Sequence, residues 1–235
     1  MKTVVVLQSN YIPWKGYFDL IRDADEFIFY DDLQFTKNDW RNRNKIKTSQ
    51  GPKWLSIPVG TSANRLICQV EMVDAGWQRS HWDSLQQQYK KCPFFKLYRP
   101  FLEDVYLARK WTNLSDLNQF LVRSISQQFL KITTQFRDSR EFQLTGQKLD
   151  RLLDLVVQSK ATRYISGPAA KEYIQPERFA ALGIELVWKD YANYPQYSQP
   201  YPPFEHGVTI LDLLFNVGPD APQHIWGWRD EKAGR

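Results

Sequence analysis

Thr3-Val4-Val5-Val6-Leu7, a polar loop from Gln8 to Lys15, Gly16-Tyr17-Phe18-Asp19-Leu20-Ile21, and then Phe27-Ile28-Phe29-Tyr30-Asp31-Asp32 form the stretch that decides the fold. The first run is short, apolar and β-branched, as a buried strand requires. Tyr17, Leu20 and Ile21 recur at helical spacing and predict a short helix from Gly16 to Ala24. Phe27–Tyr30 reads as a second buried strand, closed by a carboxylate pair. Strand, helix and strand within about thirty residues make the unit of a parallel sheet. Ligands of open α/β sheets bind beyond the C-terminal ends of the strands. The Gln8–Trp14 loop and the Asp31–Phe35 turn would both lie at that edge.

Outward from there, Trp54–Val59 and Leu66–Val70 look like further strands. From Gly76 the pattern turns helical: Trp77–Lys90, Phe101–Trp111, and a long helix from about Asn113 to Lys131. Asn113, with Asp116 three residues on, is a cap signature for that helix. Another amphipathic helix spans Gly146–Gln158. The βα pattern then returns, with a strand at Tyr164–Ser166 and a helix broken at Pro176. Gly183 closes that helix, and a strand follows at Ile184–Trp188. Asn193–Pro203 holds four prolines and is expected to be irregular. Thr209–Phe215 is an apolar helix that Thr209 can cap. The last dozen residues read as frayed, with Trp226 and Trp228 able to dock. Residues 1–235 read as one α/β domain with a helical insertion at 77–160.

The formal charge of +5 is concentrated. Six of the 31 basic residues (Lys37, Arg41, Arg43, Lys45, Lys47 and Lys53) and one of the 26 acidic ones (Asp39) lie between Lys37 and Lys53, leaving 25 of each sign elsewhere. A nucleic-acid coat needs a wide basic face, so this distribution argues against one. It favours a local site for an anion, or a solvated basic loop. Two cysteines give no disulfide framework and no metal spacing. No apolar run approaches the roughly 20 residues of a membrane helix, and no signal peptide is read, so the expected compartment is the cytoplasm.

The leading candidate site is Asp31-Asp32-Leu33-Gln34 with Lys37, Trp40, Asn42, Arg43, Asn44 and Lys47. Strand-end carboxylates can take a proton from an amine or hold a metal. Guanidinium and amide groups beside them suit phosphate or carboxylate. The bland alternative is a β-turn followed by an exposed basic loop. A second candidate is the loop containing Gln8, Tyr11, Trp14 and Tyr17, between a strand and a helix N-terminus, where anions are favoured. It carries neither a P-loop nor a dinucleotide fingerprint. His81 is the best lone histidine for a general base, although a lone helical histidine is more often structural. Cys92 is a weak candidate nucleophile. Asp212, in an apolar helix, is either exposed at the back or aimed into a site.

Three blocks of this chain resemble the WbqC-like family. The first runs Gln8…Tyr11-x-Pro13-Trp14-x-Gly16-Tyr17-Phe18, Ala24-Asp25-x-Phe27, Asp31-Asp32-x-Gln34-Phe35-x-Lys37 and Trp40-x-Asn42-Arg43-Asn44-x-Ile46-Lys47. The second is Trp54-Leu55-x-Ile57-Pro58-Val59. The third comprises Tyr164-Ile165-Ser166-Gly167 and Thr209–Asn216 with Gly218. Members of that family occur among O-antigen and other surface-polysaccharide genes, and glycine transfer to an amino sugar has been suggested for them. The resemblance carries no catalytic residues with it. A fainter likeness is to pantoate–β-alanine ligases and related nucleotidylyltransferases, which implies a Rossmann-like, mostly parallel sheet. Those enzymes hold ATP with an HxGH motif, and here Trp14-Lys15-Gly16-Tyr17 has no histidine.

The expected activity is therefore transfer of glycine or a similar aminoacyl group to a nucleotide-activated amino sugar. Arg43, Lys47 and Asn42 would bind phosphate. Asp31 or Asp32 would take the amine's proton, with His81 in reserve, and Trp14, Tyr17 and Trp40 would stack on a ring. Gln8, Tyr11, Gln34, Lys37, Asn44 and Asp212 complete the expected binding set. No cofactor or metal is expected. The donor would arrive activated, for example as a thioester, and an acyl carrier protein is a possible partner. The alternatives are an ATP-dependent nucleotidyltransferase, with Asp31 and Asp32 on Mg²⁺, and a non-catalytic binding protein.

Overall fold

The computed structural model describes residues 1–62, 64–74 and 76–229. Five strands form one parallel sheet: β1 (Thr3–Leu7), β2 (Glu26–Phe29), β5 (Gln135–Asp138), β6 (Arg163–Ser166) and β7 (Glu185–Trp188). Their spatial order is β5-β2-β1-β6-β7. The chain thus winds outward from β1 in one direction, returns past it, and winds outward in the other. This is the doubly wound, Rossmann-like α/β arrangement, with its switch point between β1 and β6.

The strands explain the two cores. Val5, Phe27, Phe29 and Ile165 point into one apolar cluster, and Val4, Val6, Ile28 and Tyr164 into the other. A strand buried on both faces has no need of polar alternation, hence the unbroken valine run. The first core is covered by α1 (Lys15–Arg22), α2 (Gly76–Tyr89), α3 (Phe95–Glu103), α4 (Leu114–Ser124) and α7 (Ile210–Val217). The second is covered by α5 (Lys148–Gln158) and α6 (Pro176–Ala181). Asn113 accepts from the Asp116 amide at 3.1 Å and starts α4, and Thr209 accepts from the Leu211 amide at 3.3 Å and starts α7. Within 77–160, read as helical, β5 intervenes and joins the sheet as its edge.

Several element readings change. The basic segment is not a loop: Arg43–Thr48 is β3, paired antiparallel with β4 (Gly51–Ser56) in a separate hairpin. Leu66–Val70 is not a strand. It meets Gln34 at one isolated bridge and turns through a 3-10 stretch at Ile67–Gln69, because its neighbours there are the Asp31–Phe35 turn rather than a ladder. The helix expected at Phe101–Trp111 starts earlier, at Phe95, and closes with a π turn at Asp104–Ala108. Trp226 docks into the first core, and residues 230–235, the end of the stretch read as frayed, lie outside the described residues. No helix among the described residues is long and apolar enough to cross a membrane.

Candidate functional site at the sheet switch point

The loop Gln8–Trp14, joining β1 to α1, is tied from several directions. The Ser9 amide donates to Asp31 Oδ1 at 2.8 Å, the Tyr11 amide to the Trp40 carbonyl at 3.0 Å, and the Ile210 amide to the Pro13 carbonyl at 2.9 Å. Asn44 Nδ2 donates to the carbonyls of Tyr11 at 3.0 Å and Ile12 at 2.9 Å. These ties hold Ile12 at φ +34°, which a β-branched residue avoids when unconstrained. The buried Tyr17 joins them, its hydroxyl donating to the Gln8 carbonyl at 2.9 Å.

The two carboxylates at the end of β2 part company. Asp31 is fully buried and accepts from Ser9, from Ser115 Oγ at 2.5 Å and from Gln119 Nε2 at 3.2 Å. Burial pushes its pKa above the usual carboxylate range, and those donors oppose the rise. Asp31 therefore brackets the loop to α4. Asp32 engages Ser139 Oγ at 2.5 Å and the Arg151 guanidinium of α5. The pair is thus held by different elements, and no group of three or more His, Cys, Asp or Glu converges among the described residues.

Beyond the C-terminal ends of the strands, against the second core, lies a cleft of about 890 Å³. Leu7 and Gln8 at the end of β1, Tyr30 beyond β2, Tyr164 of β6 and the start of α5 at Gln147–Asp150 line it. Tyr173, Gln175 and Arg178 close it around α6, and Arg41 reaches in from the segment before β3. Arg41 Nε is buried with no hydrogen-bond partner, and the buried Tyr30 hydroxyl has the Arg151 guanidinium beside it. Burial pushes the Tyr30 phenol up to about 12, so it is a hydroxyl donor at neutral pH. The other Arg41 nitrogens reach Asp39 and the Gln8 carboxamide, which fixes the guanidinium at the cleft wall. Arg178 pairs with Asp150 at 2.7 Å.

A smaller pocket of about 300 Å³ adjoins this wall, lined by Asn10, Pro13, Trp14, Trp40, Asn44 and Gly207. Gln8 and Arg41 face the cleft, while Asn10 and Trp40 face the pocket.

Of the residues singled out from sequence, Gln8 reaches the cleft, and Trp14, Trp40 and Asn44 reach the pocket. Asn42 is buried and donates to the Ile57 carbonyl at 3.0 Å. Arg43 lies 4.2 Å from the Trp54 ring. Gln34 and Lys37 sit on the exposed turn after β2. Asp212 is buried and accepts from Tyr89 at 2.9 Å, Tyr197 at 2.7 Å and Gln199 at 2.7 Å. Burial raises the Asp212 carboxyl above its usual range, and these donors, with Lys47 buried nearby, oppose the rise. His81 and Tyr11 are enclosed together: His81 Nδ1 meets the Tyr11 hydroxyl at 2.8 Å, with Trp77 and Tyr106 around them. Burial lowers His81 to about 4 and raises the Cys92 thiol to about 11, which leaves a neutral, weakly basic imidazole and no thiolate at neutral pH. Asn10 lies within the loop read as the second candidate; sequence reasoning missed Tyr30, Arg41, Lys148, Tyr173 and Arg178. The rule that sites lie beyond strand ends reaches Tyr30, but nothing in the sequence marks the residues brought by α5 and α6.

The WbqC-like protein family matches residues 8–224. The chain belongs to that family. An uncharacterized protein of Mycobacterium tuberculosis is 44% identical over 227 residues, covering 96% of this chain and 98% of that one. No solved structure matches. The family block at Gln8–Lys47 is thus the tied loop, the parted carboxylates and the start of the hairpin.

Proposed function

We propose that this WbqC-like protein is a transferase that holds the nucleotide end of a nucleotide-activated amino sugar in the switch-point cleft and attaches glycine, or a similar aminoacyl group, to the sugar's amine. One observation supports this above the others. The cleft lies where doubly wound sheets receive nucleotides, and its wall carries the buried Arg41 Nε, which has no hydrogen-bond partner, and the Tyr30 hydroxyl beside Arg151. Arg41, Lys148 and the N-terminus of α5 suit a diphosphate. Tyr173, exposed at the rim, suits a ring. The amine attacks the carbonyl carbon of an activated ester, of which a thioester is the class. A C–N bond forms, the C–S bond breaks, and the amine proton passes by way of Asp32 to the leaving thiolate. An acyl carrier protein is the matching form of donor, and surface-polysaccharide synthesis the matching setting.

The experiment is calorimetric titration with UDP and UDP-amino sugars. Binding is expected, and Arg41→Ala should weaken it about tenfold or more, near 1.4 kcal/mol for each tenfold. Asp32→Asn should retain binding while transfer falls by roughly 10²-fold. Absence of binding by any nucleotide would overturn the reading. The sheet order also favours a second reading, ATP-dependent nucleotidyl transfer in the same cleft. That reading requires Mg²⁺-dependent ATP binding that UDP displaces.

A further inference from the structure

We propose that the pocket between Trp14 and Trp40 is a subsite for a pyranose ring, distinct from the nucleotide cleft. It rests on the cleft reading only in joining that ring to a nucleotide.

The first ground is composition. Indole and proline walls dominate the pocket, and polar groups come only from Asn10, Asn44 and the backbone. A cavity of about 300 Å³ admits a single ring rather than a whole sugar nucleotide. A pyranose has an apolar C–H face and a polar edge, and its C–H groups pack on the electron-rich face of an indole. No charged side chain lines the pocket, so it suits a neutral ring and leaves phosphate to Arg41.

The second ground is rigidity. Trp14 is held by Tyr191 and Tyr194, with ring centroids 5.3 and 5.9 Å away. A Cβ at residue 16 would stand 2.3 Å from the Trp14 indole, which explains glycine there. Trp40 leans on Trp54 at 5.2 Å, and Trp54 is in turn covered by Arg43 at 4.2 Å and Lys45 at 5.0 Å. Part of the basic segment therefore braces an aromatic wall. Trp40 nevertheless stays 41% exposed, an apolar surface placed beside a cavity.

The third ground is an unmet polar group. The Asn44 amide nitrogen is committed to two loop carbonyls, whereas Asn10 Oδ1 is buried without a partner. A ligand hydroxyl or amide N–H would satisfy Asn10. Finally, Trp40 at the pocket and Arg41 at the cleft are successive residues, so the two cavities meet at one short piece of chain.

The test uses N-acetylglucosamine, methyl glucosaminide and UDP as separate probes of the full chain, followed by saturation-transfer NMR and tryptophan fluorescence. At least one saccharide should bind. Trp40→Ala should weaken it about tenfold or more, leaving UDP affinity unchanged, and Trp40→Phe should restore part of the loss. Arg41→Ala should do the reverse. Because Trp40 is 41% exposed, urea midpoints should change little for its two variants. No saccharide binding, saccharide binding indifferent to Trp40→Ala, or displacement of saccharide by UDP would each overturn the subsite. Saccharide binding with no UDP binding would support it while removing the cleft reading.

Discussion

At the scale of single residues, burial decides which titratable groups are usable. His81 has the chemistry of a base, yet its place between Tyr11, Trp77 and Tyr106 lowers it to about 4. The sign of the consequence is definite. Between pH 6.5 and 4 the unfolded chain takes a proton on this histidine and the folded chain does not, so stability is full above 6.5 and declines toward 4. Urea midpoints of the wild type and His81→Asn should therefore converge as pH falls through that window, and parallel curves would refute the assignment. The same environment explains what the sequence could not announce. Asp31 and Asp32 are adjacent letters, but β2 ends between two helical layers, and successive side chains leave toward different ones. Arg41 was one cation among six in its segment until its neighbours showed that it alone of them lines the cleft.

At the scale of elements, hydrophobic pattern was readable where a strand is buried on both faces and faded where it is not. β1 and β2 were legible as apolar runs. β5 offers Phe136 alone among Gln135, Arg137 and Asp138, because an edge strand needs only one packed side chain to find its place. β3 hid behind its charges: Ile46 and Asn44 face inward while Arg43 and Lys45 cover Trp54. The hairpin and the Gln8–Trp14 loop act as a pair, with Asn44 as the joint. Asn44→Ala leaves the Tyr11 and Ile12 carbonyls buried without that donor, at a cost of roughly 1–3 kcal/mol. Denaturant midpoints should report that loss. Hydrogen exchange should quicken first at the Tyr11 amide, and unchanged exchange there would show that the loop holds itself.

At the scale of the whole molecule, the doubly wound order places the cleft, and part of the concentrated charge packs beside it, Arg41 on its wall and Arg43 and Lys45 over Trp54. The bracket beneath the cleft has a consequence for the order of folding. Gln119, which donates to Asp31, also donates to Asp138 at 2.7 Å, and Asp138 ends β5. β5 reaches its place by pairing Phe136 with Phe27, far away in sequence, and contacts of such separation form slowly. The helices, built from local contacts, need not wait for it. In refolding followed by stopped-flow and by pulsed hydrogen exchange, far-ultraviolet ellipticity should recover first and protection of the β5 amides only in a later phase. A chain caught between those phases would look largely helical while still lacking a finished floor to its cleft.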